Sequence, residues 1–394
     1  MYILNYDCIT AAGDGVFKLM EALNSGRDCS KPGAPLGRIC QIENLERTKE
    51  TAQVSLKKLL TKLWKNLALG FKTDIHELLQ QQTPKSRVAL VFSSTKGVIE
   101  DTIWKATKNN IRELEDPFQC VIDDFCEGHP NFSWEPRCNV SNACASTHVA
   151  CEYIQTLFTQ DRADFAVLIS ADLVGPFVTK GFASLKIISP TSNRPFSADR
   201  DGLQLGEAAS MVLFARQRPP RPAPIRLSRV ASHTEGTSIT RPSMNGDGLV
   251  SALTQLSSQT QVSPDLVIAH GTGTHFNDLA EELAFQNFLT KIGREKTPIT
   301  NTKWCIGHTL GASGSIDLIA ACEILKNQRA FRIQNTQVVD PKFRMNYLTA
   351  KSEITNSPSR DQNVQKQFRQ ILITSLGFGG VHAGMLIDCL EPET

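Results

Sequence analysis

Short runs of consecutive apolar residues alternate along the chain with longer segments in which apolar residues recur every three or four positions. The short runs are typical of strands that are buried on both faces. They are Arg87–Ser93, Phe165–Ser170, Ala209–Ala215, Leu266–His270, Gln370–Ser375 and Ala383–Asp388. The longer period predicts helices over Thr51–Ala68, Ala145–Thr159, Asp278–Leu289 and Ser315–Lys326. Such alternation, with Gly-rich turns at strand ends, favours an α/β architecture.

The segment Arg216–Arg229 interrupts this alternation. It contains four prolines and five arginines, so it is not a regular helix. We therefore predict an N-terminal half over 1–216, a connector over 217–229 and a C-terminal half over 230–394. The basic residues of the connector fit a solvated linker or a binding patch.

The composition gives no indication of a nucleic-acid-binding protein or of a membrane-spanning protein. The 394 residues include 42 basic and 40 acidic side chains, so nothing in the net charge of +2 points to nucleic acid. No run approaches the ~20 apolar residues of a membrane-spanning helix, and the opening residues do not resemble a signal peptide. The eleven cysteines form no Cys-x-x-Cys or other metal-ligand ladder. We expect a cytoplasmic protein with mostly reduced thiols and no metal site.

Cys144 stands apart from the other cysteines because small residues surround it and a helical pattern follows it at once, in NVSNACASTHVACEY. The positive end of a helix dipole and free backbone N–H groups would favour the thiolate, which is the nucleophilic form. The alternative is an inert core cysteine, as we expect for Cys151.

Two histidines lie in separate Gly-rich turns. His270 follows a predicted strand in AHGTGT, and His308 follows Lys303 by five positions in TKWCIGHTLGASG. Each could be structural on its own, since imidazole is a common hydrogen-bonding group in cores. Together with a nucleophilic cysteine, two imidazole N–H groups could stabilise the oxygen of an enolate formed from a thioester.

A third Gly-rich turn, Thr374–His382, reads TSLGFGGVH. Gly377 and Gly379 flank Phe378, and such a loop can bring backbone N–H groups to an oxyanion. It also fits a tight hairpin turn into the last predicted strand.

These motifs resemble those of the β-ketoacyl-acyl-carrier-protein synthases. The resemblance is carried by NACAS, HGTGT, the Lys303–Gly314 segment, GFGG and RPFSADRDGLQLGE at Arg194–Glu207, which occur in the family's order. It implies a thiolase-like fold of five αβαβα layers with two pseudo-symmetric halves, which works as a dimer.

The resemblance also assigns roles. Cys144 matches the acyl-accepting nucleophile, and His270 and His308 match the pair that assists decarboxylation in elongating synthases. Lys303 matches an organising lysine with Glu281 as its acidic companion, and Asp278 matches a structural aspartate. Phe378 matches the gatekeeper, and its N–H, with that of Cys144, would form the oxyanion hole.

The implied reaction is a decarboxylative Claisen condensation that extends a fatty-acid, polyketide or polyene chain by two carbons. The acyl-Cys enzyme reacts with a malonyl group on acyl carrier protein. Substrates arrive on the carrier's phosphopantetheine arm, and the scheme needs no metal or dissociable cofactor. Partners would be the acyl carrier protein and a second synthase-like chain, identical or different.

Several departures from the family pattern bear on the substrate. SSTKG at Ser93–Gly97 resembles synthases of aryl polyene pathways, and His382 stands where asparagine is common. One alternative is a partner subunit like the chain-length factors, although those usually lose the cysteine. A degradative thiolase would need a second catalytic cysteine near Leu376–Gly380, where there is none. Basic residues near the first long helix could dock an acidic carrier or simply be solvated. They are Arg47, Lys49, Lys57, Lys58, Lys62 and Lys65.

Overall fold

Fourteen strands and ten α-helices are present in a computed structural model that describes residues 1–33, 37–43, 45, 51–70, 86–108, 114–218, 225–352 and 367–390. The strands are β1 Tyr2–Thr10, β2 Gly13–Asp14, β3 Lys31–Gly33, β4 Gly37–Ile39, β5 Val88–Ser93, β6 Trp134–Val140, β7 Phe165–Asp172, β8 Ala208–Ala215, β9 Ile225–Thr234, β10 Leu266–Ile268, β11 Pro298–Thr300, β12 Asn346–Tyr347, β13 Gln370–Gly377 and β14 Val381–Cys389. The helices are α1 Val16–Ser25, α2 Ala52–Gly70, α3 Ile99–Thr107, α4 Gln119–Glu127, α5 Ser146–Thr159, α6 Pro176–Ser184, α7 Asp247–Gln259, α8 His275–Lys291, α9 Lys303–Ile306 and α10 Ser313–Asn327.

The strand order contains the same five-strand pattern twice. In the N-terminal half the order is β1-β8-β7-β5-β6, and in the C-terminal half it is β9-β14-β13-β10-β11. In each half the first two pairings are antiparallel and the last two are parallel. The halves join where Tyr2 pairs with Arg226. The sequence resemblance implied two pseudo-symmetric halves, and this repeat confirms that prediction.

Five layers follow from which helix packs on which strand. Helix α2 packs on β1 and β8, and α7 packs on β9 and β14 and contacts α8, so these helices form the two outer layers. Helices α5 and α10 contact each other and strands of both halves, so they form the middle layer. The predicted αβαβα fold is therefore confirmed.

The apolar runs are strands because both of their faces are covered. Along β7, Phe165, Val167 and Ile169 pack toward the outer helices, whereas Ala166 and Leu168 pack toward the middle layer. Covering both faces favours continuous hydrophobic sequence over alternation. All six strands and four helices predicted from the pattern form, with ends shifted by at most three residues, as is usual at element boundaries.

Two segments have a secondary structure that the sequence pattern did not predict. Tyr2–Thr10 is a strand at the centre of the sheet, although polar residues interrupt its apolar pattern. Buried Asp7 explains one interruption, because its carboxylate accepts hydrogen bonds from the Val16 N–H and the Asn66 side chain. Residues 225–229 of the predicted connector are the start of β9, because Ile225 and Leu227 are buried against the core.

No helix in the described ranges has the length and apolarity needed to cross a membrane. The turns after β6, β10 and β13 and the segment after β11 carry the candidate site residues, and they meet at one edge of the middle layer.

Candidate active site

Cys144, His270 and His308 come together from three distant parts of the chain. The sulfur and one ring nitrogen of each histidine lie within 4.8 Å of one another. The Nε2 atom of His308 is 2.9 Å from Sγ of Cys144. The two imidazole rings are 5.2 Å apart and nearly perpendicular, at 88°. All three side chains are buried.

A tight turn between β6 and α5 presents Cys144. Ala143 has a φ of 48°, a left-handed conformation that side chains other than glycine rarely adopt. The Ser146 hydroxyl stabilises the turn, because it donates to the Ala143 carbonyl and accepts from the Asn142 N–H. Helix α5 then begins at Ser146, so the predicted helix start after Cys144 is confirmed.

Burial raises the pKa of the Cys144 thiol to about 12, more than nearby Lys303 and backbone N–H groups lower it. Desolvation of the buried sulfur thus opposes the helix terminus, which would favour the thiolate. Burial also lowers the pKa of His308 to about 3. The neutral imidazole beside a neutral thiol can accept its proton when a substrate carbonyl is attacked.

Glu281 fixes the backbone of the His270 turn. Its Oε1 accepts the His270 N–H at 2.8 Å and the Thr374 hydroxyl at 2.8 Å, and its Oε2 accepts the Gly271 N–H at 2.6 Å. Burial raises the pKa of this carboxyl to about 7. Burial and nearby Lys303 also hold the pKa of His270 well below its usual value, so the ring is neutral.

Lys303 has a different partner from the one that the resemblance implied. Its Nζ lies 3.1 Å from Oδ2 of Asp317 on α10, and both side chains are 1% exposed. Glu281 instead binds backbone N–H groups and the side chains of Asn277 and Thr374. The assignment of Glu281 as the companion of Lys303 is therefore wrong. Helix α10 directs Asp317 toward the lysine, a geometry that motif order does not reveal.

Asp278 joins two motifs. Its carboxylate accepts the N–H of Phe196 at 2.7 Å and the N–H of Gly273 at 3.1 Å, so the RPFSADRDG segment is held against the HGTGT turn. Burial raises its pKa to about 6. These contacts fit the structural role that the resemblance implied.

The turn between β13 and β14 closes over the cysteine. The backbone N–H groups of Phe378 and Cys144 lie close enough to Sγ to lower the pKa of the thiol, so both are near the point of attack. Gly377 permits this approach, because a Cβ on it would lie 3.2 Å from the Asn142 carbonyl oxygen and 3.3 Å from the Ala145 nitrogen.

Gly379 does not contribute an oxyanion donor. Its N–H donates to the Ile239 carbonyl at 2.7 Å. This residue instead attaches the Phe378 turn to the segment after β9, and its φ of 84° suits glycine.

Cys144, His270 and His308 line the buried end of a cavity of about 330 Å³. One wall is apolar and includes Phe182, whose ring stacks on Phe378 with centroids 5.6 Å apart. Thr272, Thr274 and Asn277 form a polar wall. The other lining residues are Leu185, Ile187, Leu203, Thr240, Arg241, Pro242, Phe276, Leu376, Gly377 and His382.

Sequence reasoning assigned no role to two further groups. Buried Asp172 accepts hydrogen bonds from Ser94, Thr95 and the Gly311 N–H, so it connects SSTKG with the turn after His308. His382 lines the cavity with its Nε2 3.0 Å from a carboxylate oxygen of Glu235. The unusual histidine in GFGGVH was the signal for the second group.

Of the six basic residues considered for carrier docking, Arg47 and Lys49 lie outside the described residues. Lys57 forms an ion pair with Asp124 at 2.8 Å, and Lys62 pairs with Asp14. These pairs fit solvated charges on the helix surface.

The chain is similar in sequence to the β-ketoacyl synthases and to several of their curated members. The N-terminal domain model of the β-ketoacyl synthases matches residues 136–219, and the C-terminal domain model matches residues 226–337. The chain is 27% identical to the tetracenomycin polyketide synthase ketoacyl synthase alpha subunit of Streptomyces glaucescens over 274 aligned residues. This alignment covers 65% of the chain and 62% of that protein. The chain is also 27% identical to 3-oxoacyl-[acyl-carrier-protein] synthase 2 of Mycobacterium bovis, with 61% and 58% covered. The chain thus spans about three fifths of the length of the curated relatives it matches.

Similarity in fold extends over nearly the whole chain. A chain of the solved complex between the ketosynthase ApeO of Xenorhabdus doucetiae and its chain length factor ApeC superposes with a TM-score of 0.77 at 20% identity. The superposition covers 98% of this chain and 97% of the solved one. With two ordered domain matches on one thiolase-like fold and the motifs in place, the chain belongs to the β-ketoacyl synthase family.

Proposed function

We propose that the chain catalyses decarboxylative Claisen condensation between an acyl group held on Cys144 and a malonyl group on acyl carrier protein. One observation carries the proposal: a thiol and two neutral imidazoles face one another within 4.8 Å at the closed end of a cavity. The product would be a β-ketoacyl-carrier that is two carbons longer.

In the first half-reaction Sγ of Cys144 attacks the acyl thioester carbonyl. The thiol proton passes to Nε2 of His308, which lies 2.9 Å away. The oxyanion is stabilised by the N–H groups of Cys144 and Phe378, which lie close to this sulfur. The carbon–sulfur bond to the carrier breaks, and the leaving thiolate takes the proton.

In the second half-reaction the malonyl-carrier loses CO2. The electrons of the broken carbon–carbon bond form an enolate, whose oxygen accepts hydrogen bonds from His270 and from His308, with the ring proton of neutral His308 moved from Nδ1 to Nε2 between the half-reactions. The enolate carbon attacks the acyl-Cys carbonyl, the bond to Sγ breaks, and the released thiolate takes up one proton from solvent to regenerate the thiol. Neutral imidazoles suit this step because burial lowers the pKa of both rings.

The shape of the cavity supports a carrier-bound substrate. The polar wall of Thr272, Thr274 and Asn277 suits the amide groups of a phosphopantetheine arm, and the apolar wall near Phe182 suits an acyl chain. Acyl groups would thus arrive on the arm of an acyl carrier protein. We also propose a cytoplasmic location, which suits eleven free cysteines.

A dimer is part of the proposal. Strand β6 is an edge of the described sheet, and alternate residues along it are exposed. An exposed edge strand is a ready surface for pairing with a second chain. We still propose a division into two halves, with the first over 1–216 and the second starting at Ile225, where β9 begins, instead of at residue 230.

Intact-mass analysis tests the proposal. Acyl-carrier should add one acyl group to the protein, and Cys144→Ala should abolish the shift. Cys151→Ala is the matched control, because Cys151 is a buried cysteine on α5 that does not line the cavity. A mass shift that persists in Cys144→Ala would refute the nucleophile.

The second candidate is a partner subunit like a chain-length factor, with little activity of its own. Solved proteins of this fold include a ketosynthase bound to its chain length factor. Acylation of the isolated chain followed by malonyl-dependent product formation would exclude this role. Activity that needs a second synthase-like chain and survives Cys144→Ala would establish it.

A further inference from the structure

The side chains that line the cavity range from buried at one end to exposed to solvent at the other. Cys144, His270 and His308 are 5%, 2% and 1% exposed. At the other end of the same cavity Arg241 is exposed, and Phe276 is 44% exposed. These two residues therefore mark its mouth.

Arg241 is the one permanently charged residue among the described residues that line the cavity. Its guanidinium lies over the ring of Phe276, 5.1 Å from the centroid. In the described part of the chain no carboxylate is within ion-pair distance of it. A cation held by a ring and without an acidic partner is available to an anion that enters the cavity.

The segment that carries Arg241 is fixed to the Phe378 turn. The Glu235 N–H donates to the Gly380 carbonyl at 3.0 Å, and the Gly379 N–H donates to the Ile239 carbonyl at 2.7 Å. The Glu235 carboxylate also accepts the Ser243 N–H at 2.7 Å. Contacts on both sides of Arg241 thus hold its backbone in register with the reactive end of the cavity.

We propose that Arg241 binds the phosphodiester of the phosphopantetheine arm at the mouth of the cavity. The inference rests on the proposed function, since an arm whose thioester reaches Cys144 leaves its phosphate at the entrance. A phosphodiester carries one negative charge and presents oxygens that the guanidinium can bind as a pair. The ring of Phe276 shields one face of this contact from water.

Binding measurements test the proposal without any chemistry. Titration calorimetry would compare 4′-phosphopantetheine with pantetheine, which lacks the phosphate. In the wild-type protein the phosphate should tighten binding about fivefold, the upper range for a partly exposed ion pair. Arg241→Gln should lose this difference, and Arg241→Lys should keep part of it. Arg329→Gln is the control, because Arg329 is exposed and does not line the cavity.

An equal phosphate effect in the wild-type and Arg241→Gln proteins would overturn the inference. Acylation kinetics with acyl-pantetheine, acyl-phosphopantetheine and acyl-carrier add a second readout. Arg241→Gln should raise KM for the two phosphorylated donors and leave kcat and the KM for acyl-pantetheine unchanged. A loss confined to acyl-carrier would assign the arginine to a carboxylate of the carrier instead, and an equal loss with all three donors would make its role structural. Absence of acylation by every donor would refute the proposed function, whereas the binding comparison would still decide the role of Arg241.

Discussion

The buried pair of Lys303 and Asp317 gives the sharpest test of the site. Its atoms are 3.1 Å apart and both side chains are 1% exposed. At that separation Coulomb attraction is about 5 kcal/mol with an effective dielectric constant of ~20. Removing one partner leaves the other charge buried and unpaired, which typically destabilises a protein by about 3–5 kcal/mol.

A double-mutant cycle measures the coupling. We expect Lys303→Met and Asp317→Asn each to lower the free energy of unfolding by about 3 kcal/mol. The double variant should lose about 3 kcal/mol less than the sum, because the second change removes a charge that the first left unpaired. Urea unfolding followed by tryptophan fluorescence gives these values, and coincident circular dichroism curves check that the transition has two states.

The matched control pairs Lys303→Met with Glu281→Gln. Glu281 accepts hydrogen bonds from the His270 turn, so its loss should destabilise the protein independently of the lysine. The coupling energy of this second cycle should stay below about 0.5 kcal/mol. A larger coupling to Glu281 than to Asp317 would refute the reasoning and restore the partner that the family resemblance implied.

Three further predictions concern the reactive end of the cavity. Because burial raises the pKa of Cys144 to about 12, its thiolate fraction should grow about tenfold for each unit of pH between about 7 and about 9. The rate of iodoacetamide labelling at Cys144, followed by mass spectrometry, should rise in parallel, and a plateau already below about pH 8 would contradict this. Gly377→Ala should slow acylation about tenfold by pushing β13 away from the Asn142 carbonyl, at a cost of about 1 kcal/mol in stability. Gly181→Ala, whose Cβ would meet nothing within 4 Å, should acylate at the wild-type rate, and equal rates for both variants would argue against the close approach. Zn²⁺ should inhibit acylation reversibly, because one thiolate and two imidazoles within 4.8 Å form a set that zinc binds; inhibition that a chelator does not reverse would count against this.

Much of the fold and site was predictable because the signals are local. A strand covered on both faces must be apolar throughout, as in Phe165–Ser170, and a helix with one buried stripe must repeat that stripe each turn. The residue types at the reactive turns are equally local. Cys144, His270 and His308 stand in short motifs whose glycines and small residues are needed for the turn itself, so sequence alone identified the three side chains.

The sequence by itself determined the α/β architecture and the identity of the candidate site residues, and its family resemblance implied the layers and the two repeated halves. The tertiary structure decided which carboxylate faces Lys303 and how strongly burial raises the pKa of Cys144. It also decided that the Gly379 N–H donates to the Ile239 carbonyl. It also showed Tyr2–Thr10 as a central strand despite its polar residues, because Asp7 finds partners on other elements. These features depend on distances between segments that are far apart in the chain and on the desolvation of side chains buried between them. Neither quantity can be predicted from the order of the residues alone.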